Sequence, residues 1–222
     1  MNKKITISSI AAIVAITAVL AVSLPVDVLA DYKEYSYPEI SGSIAVGDSD
    51  YQGLEQITLS DAMRIAQGQV TDSNAMWGDL KVIQGYLVYK VGLLSDDDKF
   101  YKVLVDAGNG DVLYVSDAKT KDSWANHSKD GKWKDHYADL TPEQRELKMK
   151  QWGEVKDAFF ALDIDERAKL VMHFMSMKSQ WDGLSDEQRD AKKAETKEFM
   201  KELLPLSVEE KTERLRQYIN SI

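Results

Sequence analysis

From Leu140 to the end, the sequence repeats itself every 22 residues, and that period limits the last third of the chain to one kind of structure. Leu140-Thr141-Pro142-Glu143-Gln144-Arg145, Leu162-Asp163-Ile164-Asp165-Glu166-Arg167, Leu184-Ser185-Asp186-Glu187-Gln188-Arg189 and Leu206-Ser207-Val208-Glu209-Glu210-Lys211 begin 22 residues apart. Each copy has a helix-capping residue (Thr141, Asp163, Ser185, Ser207) with Gln or Glu three positions on (Gln144, Glu166, Gln188, Glu210). That spacing lets the cap and the third helical residue satisfy each other's backbone N–H, a capping box. Pro142 falls at the first helical position, where a missing N–H costs nothing. Four helices with breaks near Leu162, Leu184 and Leu206 follow. A single rod is the alternative, because such a period gives about 3.67 residues per turn, but Gly183 and Pro205 oppose it. Short links predict antiparallel neighbours in a hairpin array or small bundle. The second helix carries Val171, Phe174, Met175, Met177 and Trp181 and reads as central. The third, crowded with Lys192, Lys193, Lys197, Glu198 and Lys201, offers only Phe199, Met200, Leu203 and Leu204 as a stripe and should be the most loosely held.

The region before the repeats has a different rhythm. Leu59, Ala62, Met63, Ala66 and Val70 fall on one face of a 3.6-period helix. Thr58 and Asp61 stand in the capping-box positions, so a helix over Thr58–Gln69 is predicted. Val82–Val91, Lys99–Asp106 and Asp111–Ser116 are rich in Val, Tyr and Leu and read as strands. Ile40–Val46 offers a further one, weakened by Gly42. Asp106-Ala107-Gly108-Asn109-Gly110 joins the last two strands as a hairpin, its glycines suiting positive φ. The fold class is α+β: one helix packed on an antiparallel sheet, followed by an all-α array of four short helices.

Three groups of residues carry a family resemblance: Leu59-x-x-Ala62-x-x-Ile65-Ala66, Gly85-Tyr86-x-Val88, and Tyr101-Lys102-Val103-Leu104-Val105-Asp106-Ala107-x-x-Gly110-x-Val112. Together they resemble the PepSY domain, with Asn109 where that family usually has Thr, an exchange that turn chemistry tolerates. The resemblance implies a non-catalytic module outside the cytoplasm, of the kind found in peptidase propeptides and in regulators of cell-wall enzymes. It brings no catalytic residues with it. Leu140-Thr141-x-x-Gln144, and more loosely Leu184-Ser185-x-x-Gln188, resemble the LTxxQ motif of Spy-type periplasmic chaperones, although a capping box after a leucine gives the same pattern for local reasons.

Met1-Asn2-Lys3-Lys4 is basic, and Ile5–Leu24 is apolar and uncharged. Pro25 and Val28-Leu29-Ala30 follow, a small-residue cleavage pattern between Ala30 and Asp31. Residues 1–30 are either a cleaved signal peptide or an anchor whose apolar run, residues 5–24, crosses the bilayer. In both cases the rest of the chain is exported, secreted or membrane-anchored, because Lys3 and Lys4 stay inside. Residues 31–118 form the PepSY-like domain, 119–139 a polar connector and 140–222 the helical repeats. Asn126-His127-Ser128 in the connector is an N-glycosylation sequon.

The chain contains no cysteine and has a net charge of −9. The first fact removes disulfides, thiol nucleophiles and Cys-based metal sites. Residues 31–118 hold 15 acidic against 6 basic side chains, which argues against a nucleic-acid partner and against docking on anionic lipid. His127, His136 and His173 do not form a helical metal pair. Asp96-Asp97-Asp98 lacks the spaced ligands of a calcium loop and reads as a solvated hairpin tip. No catalytic, cofactor or metal residues are assigned, and the expected function is non-enzymatic. The leading expectation is a PepSY-type regulator that binds a peptide or peptidase, with Tyr86, Tyr89, Tyr101 and Tyr114 as partner contacts if they face outward. The alternatives are an envelope chaperone that uses the array, with Met172, Met175 and Met177 exposed, and a structural spacer.

Overall fold

The computed structural model describes residues 37–47, 51, 53–120, 141–181 and 183–222. The Ala30–Asp31 cleavage site, the apolar run at residues 5–24, Asn126 and most of the connector lie outside the described residues. The chain divides into two compact units. Among the described residues one holds 37–120 with Asp163–Met172, and the other holds 141–162 with His173–Ile222.

The first unit is the expected α+β domain. Helix α1 (Leu59–Gln67) is capped by Thr58, whose side chain and that of Asp61 each accept from the other's backbone N–H. It buries Leu59, Ala62, Met63 and Ala66, four of the five residues of the sequence stripe. Four strands follow, β1 (Ser73–Ile83), β2 (Tyr86–Ser95), β3 (Phe100–Asp106) and β4 (Val112–Val115), in an antiparallel sheet with the order β1-β2-β3-β4. The hairpin of β3 and β4 is the one the sequence predicts, with Val103 opposite Val115 and Leu104 opposite Tyr114.

The strand expected over Val82–Val91 is corrected. A two-residue turn at Gln84 (φ 51°) and Gly85 (φ 83°) interrupts it two residues in. Its first residues end β1, its last begin β2, and Ile83 pairs with Tyr86 across the turn. Positive φ at both central residues is the type I′ geometry that matches strand twist, and here Gln takes the place where Asn or Asp is usual. The segment expected as a strand at Ile40–Val46 makes only a short antiparallel bridge, Ala45 with Tyr86.

Both faces of the sheet are covered, so β2 is buried from Leu87 to Ser95 and does not alternate. On one face lies α1: Gly78 pairs with Val91, and any side chain on Gly78 would collide with Leu59. On the other, Val88 and Leu104 are sealed by Ile40, with Tyr37, Tyr86, Leu113 and Tyr114 packed around them.

The repeats fall in the second unit, except that the start of the second repeat, Asp163–Met172, belongs to the first. Helices α2 (Pro142–Phe160), α3 (Ile164–Trp181), α4 (Asp186–Leu203) and α5 (Val208–Ile219) break where the sequence predicts. All four capping boxes form. Thr141 with Gln144, Ser185 with Gln188 and Ser207 with Glu210 bond reciprocally, as do Asp163 and Glu166. The basic residue after each box reaches beyond its own turn in two copies of this unit. Arg189 Nε donates to the Trp181 carbonyl, and Lys211 Nζ bonds Glu154 and the Leu206 carbonyl.

Neighbour choice departs from the hairpin expectation. Helices α2 and α5 lie side by side, and their contacts rise in number together: Glu154 with Lys211, the Ala158 carbonyl with Thr212, and the Ala161 carbonyl with Arg216. The first and last helices therefore run parallel, which a simple up-and-down array would not give. Phe199, Met200 and Leu203 form the buried stripe of α4. The Tyr218 ring of α5 meets Phe199 at 6.1 Å and His173 at 6.2 Å between centroids. Met177 is buried, Phe174 and Met175 are half-buried, and Met172 is exposed.

Candidate functional site

The hairpin motif that carries the resemblance has a structural task centred on Asp106. Its carboxylate is 1% exposed and accepts four hydrogen bonds. Oδ1 takes the Gly108 N–H at 2.7 Å, the Asn109 N–H at 3.2 Å and the Ser43 hydroxyl at 2.6 Å. Oδ2 takes the Ser43 N–H. Burial alone would raise this carboxyl, but the bonds from Ser43, Gly108 and Asn109 outweigh it and hold the group below the ordinary carboxylate range. Gly110, at φ 81°, closes the turn, and the Asp106 N–H donates to the Asp111 carbonyl across it. Asp-Ala-x-x-Gly thus folds its own loop and grips a segment more than sixty residues upstream.

That segment, residues 37–46, lies against the sheet where β3 turns away. The Leu87 N–H donates to the Ile44 carbonyl at 2.9 Å, and the Val46 N–H donates to the Gly85 carbonyl at 2.8 Å. The Gln84 side chain accepts from the Ile40 N–H and donates to the carbonyls of Tyr37 and Pro38. Ile40 fills the hollow over Val88 and Leu104. Gly42 is there for space: a Cβ would sit 2.9 Å from the Tyr86 Cβ and 3.0 Å from Asp106 Oδ2.

The first strand is an edge of the sheet, and part of it is occupied from within the chain. The Ala75 N–H donates to the Gln67 side chain, and the Ala75 carbonyl accepts from Arg167 Nη1 at 2.9 Å. Arg167 belongs to the stretch Asp163–Met172 that packs in this unit. Asp165, two residues earlier, pairs with Arg64 of α1. On the same strand, the Trp77 ring fills the space over Gly92, on the sheet face opposite α1, and Lys90 Nζ stands 5.8 Å from the ring.

The four tyrosines take different places. Tyr89 does not face outward: it is 6% exposed, its hydroxyl donates to the Ile57 carbonyl, and burial pushes its pKa up to about 12. Tyr89 shares a sheet face with Val91, next to α1, because alternate residues of a strand share a face. Tyr86 and Tyr114 are half-buried around Ile40, with the Tyr114 ring edge-on to Tyr37 at 5.7 Å. Tyr101 is half-buried beside a shallow recess that Trp77, Phe100 and Lys102 also line. At the Asp96-Asp97-Asp98 tip, the Asp97 carboxylate is held by Ser95 and Lys99. Among the described residues no group of three or more His, Asp or Glu is placed to hold a metal ion. Nor is any described helix long and apolar enough to cross a membrane.

A helix on a four-stranded antiparallel sheet, whose characteristic residues serve the turn and the core, defines a small α+β module. Its particular family follows from comparison: residues 56–115 match the PepSY family, described as the peptidase propeptide and YPEB domain. The chain therefore carries a PepSY domain, and domains of this kind are non-catalytic and typically extracytoplasmic. No curated protein matches the chain, and no solved structure matches it.

Proposed function

We propose that the protein is a non-enzymatic regulator outside the cytoplasm whose PepSY domain binds a peptidase or a peptide. The observation that carries this reading is the PepSY match over residues 56–115, taken with the structural role of the motif's Asp106. The leader supports it: residues 1–30 direct export, either cleaved between Ala30 and Asp31 or retained as an anchor. On this reading residues 31–118 are the binding domain, 119–139 a connector with a sequon at Asn126, and 140–222 a helical accessory region. Tyr86, Tyr101 and Tyr114 serve as partner contacts beside the sheet, and Tyr89 holds α1 in place.

The test adds the exported protein to envelope peptidases and, separately, to unfolded model chains. Slowed proteolysis without suppressed aggregation supports the regulator. The reverse result moves the function to the helices, a reading favoured by exposed Leu147, Met149 and Met172 and weakened by the burial of Met177. N-terminal sequencing of the native protein separates the two leader forms, with a start at Asp31 marking cleavage.

A further inference from the structure

Residues 37–46 meet the sheet in the manner of a bound peptide. An extended segment adds to a sheet through main-chain hydrogen bonds, while pockets read its side chains. Here the main-chain bonds are those of Ile44 and Val46 with Leu87 and Gly85. Three positions are read. Ile40 enters the hollow over Val88 and Leu104, Gly42 passes where Tyr86 and Asp106 leave no room for a Cβ, and Ser43 gives both its N–H and its hydroxyl to Asp106. The readers lie within the PepSY match, whereas the segment lies before it.

We propose that this groove is the peptide-recognition site of the PepSY domain, and that residues 37–46 occupy it in cis as a displaceable pseudo-ligand. The partner it fits is an extended segment of another polypeptide with an apolar residue, one spacer, then Gly and Ser. This deepens the regulator reading and rests on it. Because the occupant is tethered, a free peptide must compete with a high local concentration, so its apparent affinity scales with the fraction of open grooves.

The probe is a labelled decapeptide of residues 37–46, titrated into the full chain and into its Ile40→Glu and Gly42→Val variants, with circular dichroism and cooperative unfolding confirming each fold. Both variants should bind at least tenfold more tightly than the unaltered chain. Adding Asp106→Asn to Ile40→Glu should cost at least tenfold of that gain. A probe with Val in place of Gly42 should not bind. On the unaltered chain, hydrogen exchange at the Leu87 and Val46 amides should run at least tenfold faster than in the β2–β3 ladder, as displacement without unfolding requires. Folded variants that ignore the peptide, equal binding of the Val probe, or equal exchange rates would each overturn the proposal. So would a dimer of the unaltered chain that Ile40→Glu abolishes, which would make a second copy the occupant. Peptidase inhibition that persists without peptide binding overturns this groove and leaves the regulator reading standing.

Discussion

Replacing Asp106 by Asn keeps the shape of the side chain and changes what it can accept. In the folded protein Oδ1 serves three donors and Oδ2 one. Asparagine can present its carbonyl oxygen to the three, but its amide then points a donor at the Ser43 N–H. One charge-assisted bond is lost to a donor–donor contact, and the others fall to neutral strength. Bonds to a charged group contribute roughly 1.5–3 kcal/mol and neutral ones about 1 kcal/mol, so the lost bond alone sets a minimum expected loss of about 2–3 kcal/mol at pH 7, to which the weakening of the other three adds. For a domain of this size that lowers the melting temperature by roughly 10–20 °C. The pH dependence has a definite sign. The folded carboxyl lies below its ordinary value of 3.8, so its contribution is complete above that pH and is lost as pH falls through the lower, folded value. Urea unfolding of both proteins should therefore show a wide gap at pH 7 that closes in acid, where the native side chain is itself neutral. A gap under about 0.5 kcal/mol at pH 7, or one unchanged in acid, would refute the role given to Asp106.

The helical unit gives two further expectations. Ser185→Ala should cost about 1 kcal/mol through loss of the cap, measured by urea unfolding; no loss would mean that the Ser185–Gln188 box contributes nothing. Lys211 is fully buried, with its amine on Glu154 and the Leu206 carbonyl. Lys211→Ala should lower the urea midpoint more than Lys211→Met, which loses the same charge pair but keeps the buried stem, and reversal of that order would mean that the stem contributes nothing by packing.

What could be read from the sequence was local. The capping boxes need only residues three apart, so Thr141, Asp163, Ser185 and Ser207 marked four helix starts correctly. Strands β3 and β4 were legible because Val103, Val105 and Val112 flank a glycine-bearing turn. Strand β1 was not: Ser73-Asn74-Ala75-Met76-Trp77-Gly78-Asp79 has few strand formers, and its place is set by β2 and by α1 over Gly78. The turn at Gln84-Gly85 was hidden because Gln seldom adopts positive φ. The parallel pairing of α2 with α5 depends on contacts across more than fifty residues, which no short period encodes. The same holds for the groove. Asp106 was visible as a turn residue, whereas its hold on Ser43 spans 63 positions. Arg167 looked like a neighbour of a helix cap, and its bond to the Ala75 carbonyl could only be found in the fold.

The central claim is regulation by binding, with no chemistry by this chain. Progress curves of an envelope peptidase with increasing amounts of the full protein, combined with mass spectrometry of that protein afterwards, test it most directly. Saturable slowing of the peptidase with the added chain recovered uncleaved is the predicted result. Undiminished peptidase activity at saturating protein, or hydrolysis of the substrate by the protein alone, would contradict it.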